Sequence, residues 1–586
     1  MSLIEDFRTI MLENKIDFYI VPTSDYHNSE YISPYFKCRQ YLSNFTGSAG
    51  TLLITKTTAY LWVDGRYFLQ ADNQVDSKEI NVIKMGTPNS MTIFELLKSK
   101  LEKNDCIGFD GKLFSCSFVN ELKKQFDFEL NLNTKIDLFD GFWIDRPKLP
   151  FSSIYQLDMI YCGEEYKDKL AKVLAKMNEY NCDMHIISSL TDQAWLYNLR
   201  GNDIERTPVF LAYTVIDNKD TRLFVDTKKI NPDVKEYLKA NKIIVKTYND
   251  FYKYISGISN KHILIDSKKI NYEIYNSIKF NNNIVDKENP TILLKAIKNK
   301  TEIENIIEAQ VKDASSIIKF IYQVKTAKDA EYTELTLCKL LESLREKHEG
   351  FVDLSFDTIC AFNEHGAIVH YEATEQTNIP VTGNGLLLVD TGGHYLEGTT
   401  DITRTIGIGK ITDEMKVAYT TVLKAHIALA TAVFLKGTPA NVLDMLPRQQ
   451  LWKSKLDYRH GTGHGVGYLL SVHEEPNRFS YKYPSIPIEP GMITTNEPGV
   501  YVENKFGVRL ENELLCINDI SNEYGDFLKF QTISYVPFDQ DCIKPSLLTK
   551  PEKDWINDYH ETLYKKVSRS LTKPERDWLK LICKPL

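Results

Sequence analysis

GLLLVDTGGHYLEGTTDITRT, residues 385–405, is the stretch on which the fold turns. An apolar run from Leu386 to Val389 stops on Asp390. Gly392 and Gly393 follow, and β-pattern resumes after Asp401. That reads as two strands joined by a glycine-containing turn, with one carboxylate closing the first strand and another opening the second. Aspartate is a poor strand former, so acids set inside half-buried β-structure imply a compensating cation. Taken alone the pair is a weak signal, because the chain has 79 Asp and Glu and most such pairs are solvated loop groups.

The next stretch adds weight. HGTGHGVG (460–467) is followed by His473 and Glu474. Its glycines first suggest a phosphate loop, but no GK[ST] follows and no strand-loop-helix context supports one. Glycine also lets backbone pass close to a metal or a substrate. Three histidines within fourteen positions, His460, His464 and His473, are more than buried structural residues require. GMITTNEPGVYVENKFGVRLENELLC (491–516) then supplies Glu497 before Pro-Gly and Glu511 in an apolar run. Arg509 and Glu511 are two apart, so one strand carries both on one face, a cation orienting a ligand.

Charge counting joins these residues. Asp390, Asp401, Glu497 and Glu511 bring four negative charges and His464 one neutral nitrogen, which two divalent ions balance and one does not. Oxygen-rich ligation with a single imidazole favours a hard ion such as manganese over a thiolate-type zinc site. Paired ions in such sites lie about 3.5–4 Å apart and bridge a hydroxide, so hydrolysis follows.

Outward from this core, 586 residues exceed one hydrophobic core and point to about three domains. Lys+Arg 71 against Asp+Glu 79 gives a formal charge of −8, with no basic stripe to hold nucleic acid. No apolar window is long enough to span a bilayer, and residues 1–15 read as an amphipathic helix and not as a signal peptide. The ten cysteines lack a CxxC pair, consistent with reduced thiols and a cytoplasmic location. Pro-containing or charged breaks fall at 146–153 and 287–300. Thr301 and Glu304 read as a capping box opening a helix with apolar residues at 303, 306, 307, 311, 314 and 318. Tyr41–Gly47 resembles Trp195–Gly201, and Leu61–Asp64 resembles Leu223–Asp226, in the order a duplicated unit with one loop insertion requires. Thr549 and Thr572 each open a TKPE[KR]DW segment, two capped helices packing by their tryptophans.

GAIVHY (366–371), LLLVDTGG, GTTDITRT, HGTGHGVG, MITTNEPG and GVRLENE together resemble the pita-bread metallopeptidases, family M24. FTGSAGT, WVDGRYFLQAD and AWLYNLRG look like the two creatinase-type domains of the family's long, three-domain aminopeptidases P, and WINDYH like their C-terminal extension. The resemblance implies an α/β (α+β) fold of two creatinase-like domains (1–150 and 151–297), a catalytic domain (298–520) and an extension (521–586). It implies metal ligation by Asp390, Asp401, His464, Glu497 and Glu511, with Asp401 and Glu511 bridging and Glu497 also the base. His370 would shuttle a proton, His473 stabilise the oxyanion, His460 line the pocket beyond the scissile bond, and Arg509 brace the carboxylates. The implied activity is release of an N-terminal residue standing before proline in peptides. Manganese is favoured, with cobalt or zinc as alternatives, and a homodimer without nucleic-acid or membrane partners is expected. Prolidase normally has one N-terminal domain, methionine aminopeptidase none, creatinase no metals, and a non-enzymatic scaffold would have lost a ligand.

Overall fold

The apolar runs of the first 290 residues become two mixed sheets in a computed structural model that describes residues 2–326 and 331–586. The first orders its strands Ile80–Lys84, Ala59–Val63, Thr51–Thr55, Phe18–Pro22, Cys106–Gly108 and Asn131–Asn133. The second orders Ile244–Thr247, Thr221–Val225, Ala212–Asp217, Met184–Ile187, His262–Ile265 and Asn283–Asp286. Strand for strand the two share order and sense of pairing: two antiparallel contacts, then parallel ones at both sides. The repeated sequence acquires a physical reason here. Asn44 and Asn198 occupy the same place after a short helix, each in the left-handed region (φ 57° and 51°), which asparagine tolerates better than most residues. Asp64 and Asp226 both accept the backbone N–H two residues on, at 3.0 Å.

Both lobes belong to one compact unit, residues up to Asp158 with Glu164–Thr291. They are joined by buried polar contacts. His27 Nδ1–H donates to the Ser188 carbonyl at 2.8 Å, and the Tyr248 hydroxyl lies 2.8 Å from its Nε2. Asn271 donates to the Tyr26 carbonyl at 2.8 Å.

The second unit, Met159–Gly163 with Ile292–Leu586, contains the long helix Lys300–Thr326. Its cap is not the expected Thr301–Glu304 pair. Asn299 Oδ1 accepts from Glu302 N–H at 3.0 Å and Glu302 Oε2 from Asn299 N–H at 2.9 Å, so the same device sits two residues earlier. Asparagine caps at least as well as threonine, and Thr301 fits the first turn. A three-stranded sheet holds Ile359–Phe362, Gly385–Thr391 and Ile402–Ile408. A six-stranded sheet orders Val433–Leu435, Gly525–Thr532, Asn512–Asn522, Ile493–Asn496, Gly463–Gly465 and Glu474–Phe479. The hairpin Asn512–Asn522/Gly525–Thr532 carries the chain across residue 520 inside this sheet. Helices Lys550–Val567 and Lys573–Ile582 start on capping boxes at Thr549 and Thr572. Trp555 stacks on Tyr559 (5.5 Å, 6°), and Trp578 meets Tyr322 edge-on at 5.5 Å. All ten cysteines are free thiols. Among the described residues no helix is long and apolar enough to cross a membrane.

Candidate metal centre

Strands Gly385–Thr391 and Ile402–Ile408 pair antiparallel, with Asp390 opposite Thr403 and Thr391 opposite Ile402. This places Asp390 just inside one strand and Asp401 just before the other. Gly463–Gly465 lies against Ile493–Asn496, an approach only glycine allows, since a Cβ at Gly463 would collide with the Thr495 carbonyl. That approach brings His464 and Glu497 to the same spot. His464 Nδ1 is 2.9 Å from the Gly465 carbonyl, which can only accept, so the proton sits on Nδ1 and the Nε2 lone pair is available. Nε2 faces Asp401 Oδ2 at 3.5 Å and Glu497 Oε1 at 3.6 Å. One ligand atom from each of Asp401, His464 and Glu511 lies within 4.8 Å of the others.

The electrostatics ask for cations. Asp401 and Glu511 are 4% and 2% exposed, and burial followed by the neighbouring carboxylates pushes both well above the carboxylate range. Glu497 is pushed up to about 7 by burial, against the pull of Arg509. Asp390 Oδ1 is buried without a hydrogen-bond partner. A lone pair on imidazole facing acids, an unsatisfied buried carboxylate oxygen and four converging carboxylates fit divalent ions held by oxygen and one nitrogen.

Around these five lie the remaining candidates. Arg509 Nη2 donates to Asp390 Oδ2 at 2.5 Å and Nη1 to the Tyr501 hydroxyl at 2.9 Å. The expectation that Arg509 and Glu511 share one strand is corrected: the strand Phe506–Arg509 ends at Arg509, and the next begins at Asn512. The chain changes sheets at Leu510 and Glu511, so Arg509 reaches Asp390, while Glu511 Oε2 accepts from the Thr403 hydroxyl at 2.8 Å. His460 Nδ1–H donates to the Gly461 carbonyl at 2.7 Å, which leaves Nε2 to accept from the Tyr501 hydroxyl at 2.8 Å. His473 meets the His464 ring edge-on, with centroids 4.3 Å apart. His370 is half-buried beyond the turn Asn363–Ala367, which packs on strand Phe506–Arg509 through the close approach of Gly366 and Gly507.

Sequence reading missed Tyr501, which links Arg509 to His460, and Thr403, which holds Glu511. The only signal for Thr403 is its alternation with Asp401 and Thr405 along one strand face. Glu513 was missed as well: it accepts the Asp401 N–H at 2.8 Å, and burial pushes its carboxyl up to about 8.

Residues 304–518 match metallopeptidase family M24, and residues 526–586 match the C-terminal region of peptidase M24. Residues 4–135 and 145–302 each match a creatinase/prolidase N-terminal domain. Xaa-Pro aminopeptidase 1 of Dictyostelium discoideum is 36% identical over 584 residues, 96% of this chain and 92% of that protein. Aminopeptidase P2 of Arabidopsis thaliana is 36% identical over 594 residues, 94% of this chain and 83% of that protein. The crystal structure of X-prolyl aminopeptidase from Caenorhabditis elegans, a cytosolic enzyme with a di-nuclear active site, covers 100% of both chains at 30% identity, with a TM-score of 0.94.

Proposed function

The chain belongs to metallopeptidase family M24, in its Xaa-Pro aminopeptidase branch, and from that premise we propose that it hydrolyses the bond between an N-terminal residue and a following proline with two divalent ions. The observation that carries the reading is the convergence of the His464 Nε2 lone pair, Asp401, Glu511 and Glu497 around one point, beside the unsatisfied Asp390. Asp390 would hold one ion, Asp401 and Glu511 would serve both, and His464 and Glu497 would complete the set. Four carboxylates and the Arg509 cation leave a charge of −3 in a buried site, more than one divalent ion would offset. When bound, the ions would polarise the scissile carbonyl and make a water acidic enough to lose its proton near neutral pH.

The protein's own groups do the rest. Glu497 takes the proton of the attacking water, and Arg509 holds Asp390 while passing its second donor to Tyr501. Tyr501 in turn fixes His460, which lines the pocket for the residue beyond the bond. His473 faces the oxyanion and His370 returns a proton to the leaving imide nitrogen. Manganese is the ion we favour, since the donors are oxygen with one imidazole. We also read the chain as a homodimer: Val433 (57% exposed) and Leu435 (43%) lie on an edge strand, beside a hairpin whose tip exposes Ile520 and Tyr524.

The test is release of the first amino acid from X-Pro-X and X-Pro peptides after chelation, with and without added manganese. Activity should vanish on chelation and return on loading, with two ions per chain by elemental analysis. Full activity at a firm single ion sinks the two-ion reading, and cleavage of dipeptides alone points to prolidase chemistry.

A further inference from the structure

Lys298 and Glu474 form a buried ion pair that the metal ligands do not use. The Lys298 ammonium donates to Glu474 Oε1 and, at 3.0 Å, to the Lys295 carbonyl, while Lys295 Nζ lies 4.0 Å from Glu474 Oε2. The side chains of Lys298, Glu474 and Lys295 are 1%, 3% and 5% exposed. The backbone is fixed on both sides. Lys298 N–H donates to the Gly491 carbonyl at 3.0 Å, Ile297 bridges Met492, and Glu474 stands opposite Gly465 in the sheet. One peptide bond before Glu474 is His473, edge-on to His464.

Stability is a poor reason for this pair. Two charges withdrawn from water repay their desolvation only with good geometry, and apolar replacements often do as well. What an ion pair adds is direction, because its donors and acceptor must meet at set points. Here the set point is the first residue of a strand, and the residue before it carries an imidazole into the reaction site.

We propose that Lys298, acting through Glu474, is a positioning residue that fixes the backbone carrying His473 during hydrolysis. The inference rests on the role given to His473 above. Loss of the pair leaves the ligands in place and lets His473 drift, and a shift of about 1 Å in a catalytic group can cost about 10²-fold in rate.

The experiment measures kcat, KM and bound metal on an X-Pro-X peptide for Lys298→Met, Lys298→Arg, His473→Ala and the Lys298→Met/His473→Ala double variant. Lys298→Met should lower kcat about ten- to a hundredfold, leave KM within about twofold and keep two ions, with Lys298→Arg recovering most of the rate. Added to His473→Ala, it should cost nothing more. Equal losses in both backgrounds, or a loss tracked by missing metal, overturn the proposal. An unchanged kcat in His473→Ala overturns it too, yet leaves Xaa-Pro cleavage by the wild type standing. If Lys298→Met does not fold, Glu474→Gln, nearly isosteric and uncharged, takes its place under the same criteria.

Discussion

Glu497 stands one residue past strand Ile493–Asn496, held where its carboxylate can serve both as ligand and as base. Its N–H donates to the Thr462 carbonyl at 2.8 Å, so the backbone is fixed whichever side chain it bears. Glu497→Gln should therefore fold normally and lose turnover by about 10²–10⁴-fold, the usual cost of a missing general base. Steady-state kinetics on the metal-loaded variant decides the matter, and wild-type kcat would remove the role. The histidines should separate. His370→Ala and His473→Ala should act mainly on kcat, because the proton-shuttle and oxyanion contacts proposed for them would strengthen in the transition state, whereas His460→Ala should raise KM. If all three variants behave alike in the same assay, this division of labour is wrong. The acids were legible in the sequence because carboxylates are rare inside β-pattern, whereas His370 came only through the resemblance of its GAIVHY motif. Tyr501 and Thr403 were not legible, because each is an ordinary residue whose work is set by a contact across the fold, as between Thr403 and Glu511.

Elements place those residues, and the hairpin of Asp390 and Asp401 depends on more than its own strands. Arg404, buried between them and the C-terminal segment, donates to the carbonyls of Thr403, Glu511, Val536 and Pro537, to Asn512 Oδ1, and to the Tyr559 hydroxyl. It also lies over the Phe538 ring at 4.5 Å. The helix Lys550–Val567, which brings Tyr559, is thus part of the scaffold behind Glu511, the carboxylate we propose is shared. Arg404→Met would strand several buried acceptors at about 1–3 kcal/mol each, so a loss of at least about 3 kcal/mol is expected, with weakened metal binding. Thermal unfolding and a manganese titration would show it, and a variant near wild type in both would detach this helix from the site. The TKPE pattern at Thr549 announced the helix and its cap, since both are local. It could not give Arg404, which reads as one more charged residue in DITRT. The cap at Asn299 in place of Thr301 shows the same limit at short range: two good cappers two residues apart, and only the packing of the helix chooses.

Across the whole molecule, histidines are buried where protonation is costly, and acid should find them. Burial lowers His27 and His185 in the first unit. In the second, burial and then the Arg404 charge lower His426 to about 3 and His560 to about 4. Both are needed neutral. The His426 Nδ1–H donates to the Leu510 carbonyl at 3.2 Å, and its Nε2 accepts from Asn512 at 3.1 Å. The His560 Nε2 accepts the Phe538 N–H at 3.2 Å. A folded pKa below the unfolded value of about 6.5 means the unfolded chain binds the extra proton. The stability each neutral ring contributes is therefore present above pH 6.5 and is lost as pH falls below it. Between pH 7 and pH 5 this comes to about 2 kcal/mol for each of the two. Glu513, pushed up to about 8, and Asp110, pushed up to about 6, both mainly by burial, run the other way over part of this range. The whole-protein pH curve is thus the wrong readout, and the difference between wild type and variant is the right one. Hydrogen exchange along helix Lys550–Val567 reads the opening free energy locally, where a two-unit chain need not unfold in one step. His560→Gln keeps an acceptor for the Phe538 N–H and cannot titrate. The gap between wild type and this variant should move by about 2 kcal/mol in the variant's favour from pH 7 to pH 5. A gap that stays constant across that window means His560 takes its proton in the folded protein as readily as in the unfolded chain.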